Sequence, residues 1–423
     1  MRRVRAEPRG VARPRVPRSA VVVRTVAAWI ALGLVAGTGV AVAQTSDPPP
    51  IVVGLDADMS SVNDAVGLEI QRGAELAIEE INAAGGVLGR PLVLDVRDHR
   101  RNPARGEANV RAFAENPDLV AVLGGKQTPV ILAELPTIHE LGLPYLIPWA
   151  AGTILIDNGF DPNYVFRVSV RDELAGGVLV RHGLARGFRS FGLLLEQTGW
   201  GRSNEVALRD ALAEAGLAPA RIEWFNWGQD AFSSAIDRLV ADGADVVVFV
   251  GNSSEGVPFA RAMAARPPGE RLPIVSHWGI VGDEFELRAA GAIDALDLVV
   301  LQTFSFFDPP FPDRAAAVLG RYVERYLGRD ASTARPGDVV APGAIAHTYD
   351  LVGMLAAAIE RAGPTERAAV RDALETLPFH AGLLRDYDPP FAPGRHDALD
   401  ASGFFLARWQ GATIVPLDLN ADP

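Results

Sequence analysis

Lys126 is the single lysine of a 423-residue chain; every other basic side chain is arginine. It stands in Gly124-Gly125-Lys126-Gln127-Thr128-Pro129, directly after the apolar run Leu119–Leu123. A glycine-rich turn that opens a helix offers free backbone N–H groups to an anion, and Lys126 and Thr128 would add a charge and a hydroxyl. An ordinary strand-to-helix turn with a solvated lysine reads equally well from these residues. A nucleotide phosphate loop is excluded: Val120 stands where its first glycine belongs, and Gln127 follows the lysine.

Parallel sheets place ligands outside the carboxyl ends of their strands, so the other strand ends are the next places to look. Pro148-Trp149-Ala150-Ala151-Gly152-Thr153 joins small residues, which admit a ligand to the backbone, to an indole wall. Glu196-Gln197-Thr198-Gly199-Trp200-Gly201-Arg202 sets Trp200 between two glycines, where it would expose an aromatic face at a strand end. The triplet Gly199-Trp200-Gly201 lacks the third glycine of a dinucleotide fingerprint. Gly251-Asn252-Ser253-Ser254-Glu255 and His277-Trp278-Gly279 are polar or aromatic at corresponding positions. For each of these loops, packing inside a lobe is the competing role.

Covalent chemistry is poorly supplied. There are no cysteines, which removes disulfides, thiolate metal ligands and thiol nucleophiles together. The seven histidines include no i,i+4 pair, and His139-Glu140 runs on into Leu141-Gly142-Leu143 and not into HExxH. The nucleophile elbow GxSxG is absent. No catalytic residue, no metal site, no cofactor and no enzymatic activity are expected.

The loops are carried by an alternation of apolar runs and amphipathic stretches. Residues 51–55, 91–96, 119–123 and 144–147 read as strands, with helices at 67–84, 103–115 and 130–141 between them. Ile70, Ala74, Ala77, Ile78 and Ile81 share one face of the first helix, and Gly85-Gly86 stops it. The pattern then repeats. Strands at 191–195, 222–225, 244–250, 273–276 and 298–302 alternate with helices at 204–215, 232–242 and 257–265. Helices at 313–326, 344–362 and 365–376 follow, then a hairpin about Gln410-Gly411. The fold class is α/β: two Rossmann-like lobes with parallel central sheets and right-handed crossovers, joined near residues 165–170.

The first 43 residues read differently. Arginine is dense from Arg2 to Arg24, an apolar stretch runs from Val26, and Ala41-Val42-Ala43 precedes Gln44. That is the order of a cleaved secretory signal, and the stretch is short for a membrane anchor. No cysteine follows for lipid attachment, and the long basic region suggests a true start at Val21, Val22 or Val23. Without residues 1–43, which hold eight arginines and one glutamate, the formal charge moves from -12 to -19. Such acidity argues against a nucleic-acid partner. A periplasmic monomer is expected.

Taken together, several stretches match a known group. Residues 73–90, reading Gly73-Ala74-Glu75-Leu76-Ala77-Ile78-Glu79-Glu80-Ile81-Asn82-Ala83-Ala84-Gly85-Gly86-Val87-Leu88-Gly89-Arg90, closely resemble a signature of type I periplasmic binding proteins. These serve ABC importers of the branched-chain amino acid (hydrophobic amino acid and amide) class. Asp98, Asn102-Pro103, Gly124-Gly125, Pro148, Phe166-Arg167 with Asp172, and His347-Thr348-Tyr349-Asp350 continue the resemblance over most of the chain after the signal. It implies two lobes, three hinge crossovers, and a small-molecule ligand in the cleft between them, with a membrane permease and an ATPase as partners. The implied layout is 44–168 in lobe 1, 169–300 in lobe 2, 301–377 back in lobe 1, and 378–423 as terminal strands that the sequence assigns to neither lobe.

By the same resemblance, residues 126–128 and 149–153 match the positions that hold an α-carboxylate, and Trp200 matches the aromatic that covers the ligand from the second lobe. Two departures stand out. A serine is common where this chain reads Lys126-Gln127-Thr128. The acid that often meets the ligand ammonium falls near His277-Trp278-Gly279, where there is no carboxylate; Glu255, Asp283 and Glu284 are shifted from it. A small organic acid without an amine is the sharper expectation, its carboxylate on Lys126 and its body walled by Trp149, Trp200 and Trp278. The competing function is a ligand sensor that feeds a separate receptor or two-component system.

Overall fold

The computed structural model describes residues 48–60, 65–282 and 285–417. The expected signal, and Asp283 and Glu284, lie outside the described residues.

The first sheet grows around β1 (Ile51–Ala57), which is buried along its whole length, as an apolar run at the centre of a two-sided parallel sheet must be. It pairs in parallel with β2 (Leu92–Asp98) and β3 (Leu119–Leu123); β4 (Tyr145–Ile147) and β5 (Val165–Arg167) extend the sheet in the order β2-β1-β3-β4-β5. The crossovers are α1 (Ala65–Ala83), α2 (Pro103–Ala114) and α3 (Thr128–Glu140). Asn102 caps α2 by accepting the Arg105 N–H at 3.2 Å, with Pro103 in the first turn.

The second lobe follows as α4 (Asp172–Ala185), β6 (Phe191–Glu196), α5 (Gly199–Glu214), β7 (Arg221–Phe225), α6 (Ser233–Ala241), β8 (Val246–Val250), α7 (Ser253–Ala264), β9 (Ile274–Ser276), α8 (Phe285–Arg288) and β10 (Leu298–Gln302). Its strands β7, β6, β8, β9 and β10 are parallel in that spatial order. The chain then returns to the first lobe through α9 (Pro312–Leu327), α10 (Pro342–Ala362) and α11 (Arg367–Glu375). Helix α10 lies against α1 so closely that a Cβ on Gly73 would stand 2.8 Å from the Ile345 carbonyl oxygen. After a small hairpin of β11 (His380–Ala381) and β12 (Asp386–Tyr387), β13 (Phe405–Gln410) and β14 (Thr413–Pro416) join the second sheet, β13 antiparallel to β10. The terminal strands, unassigned by sequence, thus pair in the second sheet, which also holds Leu301 and Gln302 of β10. The lobes are joined by three crossings: after β5, after β10, and before β13.

Two helices depart from the sequence reading at the cleft. Helix α4 is unannounced because Gly176, Gly177 and Gly183 weaken its helical signature. The structure gives one of them a reason: a Cβ on Gly176 would stand 2.8 Å from the Ala207 carbonyl carbon and oxygen, so the glycine lets α4 lie on α5. Helix α5 begins at Gly199 and not near residue 204, which puts Trp200 in its first turn.

Candidate ligand-binding cleft

The carboxyl ends of both sheets meet at a cavity of about 10 Å³, barely room for one water. Its first-lobe wall is Lys126, Gln127, Thr128, Pro129, Trp149 and Ala151; its second-lobe wall is Glu196, Trp200, Trp227, Asn252, Trp278 and Gly279. The lobes are closed on each other. Trp149 and Trp278, from opposite lobes, stack with ring centroids 4.1 Å apart and planes 8° from parallel. The Thr153 N–H donates to Ser203 Oγ at 3.1 Å, and Arg101 Nη1 donates to Ser254 Oγ at 3.3 Å. The Arg101 guanidinium also lies over the Trp227 ring, 4.7 Å from its centroid.

The first-lobe wall is largely backbone held in place from behind. Arg167, fully buried, donates through Nε to Asp397 Oδ1 at 2.5 Å and through Nη1 to the carbonyls of Gly152 (2.9 Å) and Ala150 (3.3 Å). Thr128 Oγ1 accepts the Gly152 N–H at 3.3 Å, which ties the 126–128 turn to the 149–153 loop. Gln127 is the N-cap of α3, yet its side chain makes no cap bond, and its Oε1 is buried without a partner. His347 steadies the same loop: Nδ1 meets the Pro148 carbonyl at 2.8 Å and Nε2 meets Thr303 Oγ1 at 2.9 Å. Burial pushes the His347 ring down to about 4, so it is neutral at pH 7.

The second-lobe wall is built from side chains. Trp200 donates its indole N–H to Asp172 Oδ1 at 3.1 Å. His277 Nδ1 accepts the Trp278 N–H at 2.9 Å, and its Nε2 faces the same Asp172 oxygen at 3.2 Å. One buried carboxylate therefore holds the Trp200 indole and lies beside the imidazole that precedes Trp278. Glu196 accepts from Asn252 Nδ2 and from the Thr198 hydroxyl, each at 2.7 Å. Burial pushes the Glu196 carboxyl up, partly offset by Thr198 and the Trp227 indole.

Four sequence-nominated residues are elsewhere than the cavity wall. Ala150 packs into the first-lobe core, its carbonyl held by Arg167. Thr153 lines a second, open cavity of about 620 Å³ at the lobe seam, beside Leu132, Ile154 and Val206. Ser253 and His277 are fully buried behind the wall. Trp200, expected as an exposed face, is 7% exposed because the helix start turns it inward. Glu196 and Trp227 were missed. Glu196 carried a usable signal, an acid closing the apolar run 191–195 at a strand's carboxyl end; Trp227 lies just beyond β7. Among the described residues no group of three or more His, Cys, Asp or Glu side chains could hold a metal.

A closed, two-lobed cleft lined by backbone amides, hydroxyls and indoles is the architecture of a solute-binding protein. A sequence profile described as periplasmic binding protein matches residues 50–411, and the chain belongs to that family, whose members bind solutes and are not enzymes. Relatives named for amino acid binding and solved structures of type I binding proteins are similar to it along most of the chain. It is 26% identical over 332 residues to a Pseudomonas aeruginosa protein named "Amino acid binding protein", covering 78% of this chain and 83% of that one. It is 25% identical over 366 residues to "Leu/Ile/Val-binding protein homolog 1" of Brucella abortus, covering 85% and 90%. In fold it resembles a Streptococcus pneumoniae branched-chain amino acid binding protein, LivJ, solved with isoleucine (TM-score 0.72, 20% identity, 87% of this chain and 100% of that one). It also resembles an R. palustris solute-binding protein solved with benzoate (TM-score 0.71, 17% identity, 87% and 95%). Among the described residues no helix is long and apolar enough to cross a membrane.

Proposed function

We propose that this chain is the exported solute-binding component of an ABC importer and that it takes a small carboxylate-bearing solute into the interlobe cleft. The observation that carries this reading is the convergence of strand-end loops from both sheets on one cavity. Contacts divided between the lobes are complete only on closure, so a ligand that makes them shifts the population toward the closed form. A permease and its ATPase then read the closed shape, and residues 1–43 deliver the chain to the periplasm. The carboxylate sits on the 126–128 turn and the 149–153 loop, with Trp149, Ala151, Trp200, Asn252 and Trp278 around the body.

The test begins with a thermal-shift screen of amino acids, amides and aliphatic or aromatic acids, since a bound solute raises apparent stability. Calorimetry on Lys126→Ala with the best carboxylate follows. A charge-assisted hydrogen bond contributes about 1.5–3 kcal/mol, so affinity is expected to fall by about 10- to 100-fold. No shift from any carboxylate would overturn the reading, and unchanged affinity in Lys126→Ala would remove the lysine from the site.

A further inference from the structure

The cleft has almost no volume of its own, and what fills it is the indole pair. Trp149 and Trp278 are 3% and 2% exposed and meet face to face across the lobe boundary. Each stands just past a strand of its own lobe, Trp149 after β4 and Trp278 after β9. The Trp149 carbonyl accepts the Ser169 hydroxyl at 2.6 Å, and the Trp278 N–H donates to His277 at 2.9 Å. A slight opening of the lobes therefore draws the two ring faces apart. The gap they leave is a slot walled on both sides by π-faces, with the Lys126–Thr128 turn at the same cavity.

The geometry points to a flat, conjugated ring bearing a carboxylate as the solute, held by insertion between Trp149 and Trp278. This rests on the cleft being the binding site and narrows the solute class. A planar ring restores contact on both indole faces at an added separation of only about 3.5 Å, the ordinary carbon–carbon contact distance. A branched aliphatic side chain is thicker; it would hold the rings wider and leave parts of both faces uncovered. A compact quaternary ammonium group prefers aromatic walls set at angles around it, whereas these two are 8° from parallel.

The experiment uses the exported full chain and four probes: benzoate, 4-hydroxybenzoate, leucine and glycine betaine. Calorimetry is expected to rank at least one of the two aromatic acids about tenfold or more above leucine and betaine. Trp149→Leu and Trp278→Leu should each weaken that acid by about tenfold, the loss of one stacked face, while Trp149→Phe keeps most of the affinity. Far-ultraviolet circular dichroism gives a readout on the unmutated protein: the exciton couplet of two stacked indoles, which arises from their strong short-wavelength transition, should collapse when a ring separates them. Preferred binding of leucine or betaine would overturn the insertion and leave the cleft reading intact. So would aromatic binding that keeps the couplet and is indifferent to both leucine variants. Failure of every carboxylate probe and of the wider acid screen would overturn both.

Discussion

The two walls of the cleft are made in different ways. The first-lobe wall presents turns and backbone, with the Ala150 and Gly152 carbonyls anchored on Arg167 and the Gly152 N–H on Thr128. The second-lobe wall presents large side chains, Trp200, Trp227 and Trp278, the first of them held by the Asp172 carboxylate. Backbone geometry is generic and can receive any carboxylate. Side-chain geometry is particular and can be re-cut for a new solute without disturbing the strand ends beneath. The contrast suggests that affinity for the shared chemical group resides in the first-lobe backbone, and selectivity among solutes in the second-lobe side chains together with Trp149.

The heaviest blow to this contrast is Arg167→Ala. It removes a fully buried cation and leaves Asp397 with Arg171 as its remaining partner. A loss of about 3–5 kcal/mol of unfolding free energy is expected in denaturant titration, with binding of every solute weakened together. A variant that lost selectivity but kept overall affinity would show that the walls do not divide their work in this way.

A first-lobe peculiarity behind the turn gives the next effect. Tyr145 donates to Glu134 at 2.6 Å, and the half-buried Asn109 to Asp56 at 2.8 Å; Tyr145, Glu134 and Asp56 are fully buried. Burial pushes Glu134 up from 4.5 to about 7, and burial together with the neighbouring Glu134 pushes Asp56 up to about 10. The folded chain thus keeps protons that the unfolded chain has released. Stability is expected to fall as pH rises from about 4.5 through about 7, and to go on falling more gently toward 10. Glu134→Gln should flatten the first part of that decline, by roughly 3 kcal/mol at most over the window. Melting temperatures of both proteins across pH 5–8 check this, and parallel curves would remove Glu134 as the cause.

Arg101→Ala is the gentlest probe. It loses the hydrogen bond to Ser254 and the stacking on Trp227, both across the lobe boundary. A cost of about 1 kcal/mol to the closed form is expected, read as a several-fold weaker affinity with no loss of selectivity. Small-angle scattering of the solute-free variant should show a larger radius of gyration than the parent; equal radii would show that the arginine does not hold the lobes together.

How far residues announce structure differs along the chain for identifiable reasons. The apolar run that became β8 is legible because a strand covered on both faces must be apolar throughout. Helix α4 was hidden because its glycines serve close packing on α5, a tertiary demand that lowers the local signal. At the site, the turn at 126–128 and the tryptophans were legible from their place after strands. The inward turn of Trp200 was not, because it depends on where α5 begins. The pairing of Trp149 with Trp278 was not either, since they stand 129 positions apart in the chain and nothing local links the two.

The solitary lysine has a practical consequence. Apart from the chain's own α-amino terminus, it is the one primary amine available to acylating reagents. At 7% exposure it is shut away while the lobes are together. An activated ester added in trace amounts would therefore mark Lys126 at a rate set by how often the cleft gapes. A solute that keeps it shut would slow that clock, so the unmodified protein already carries its own chemical timer.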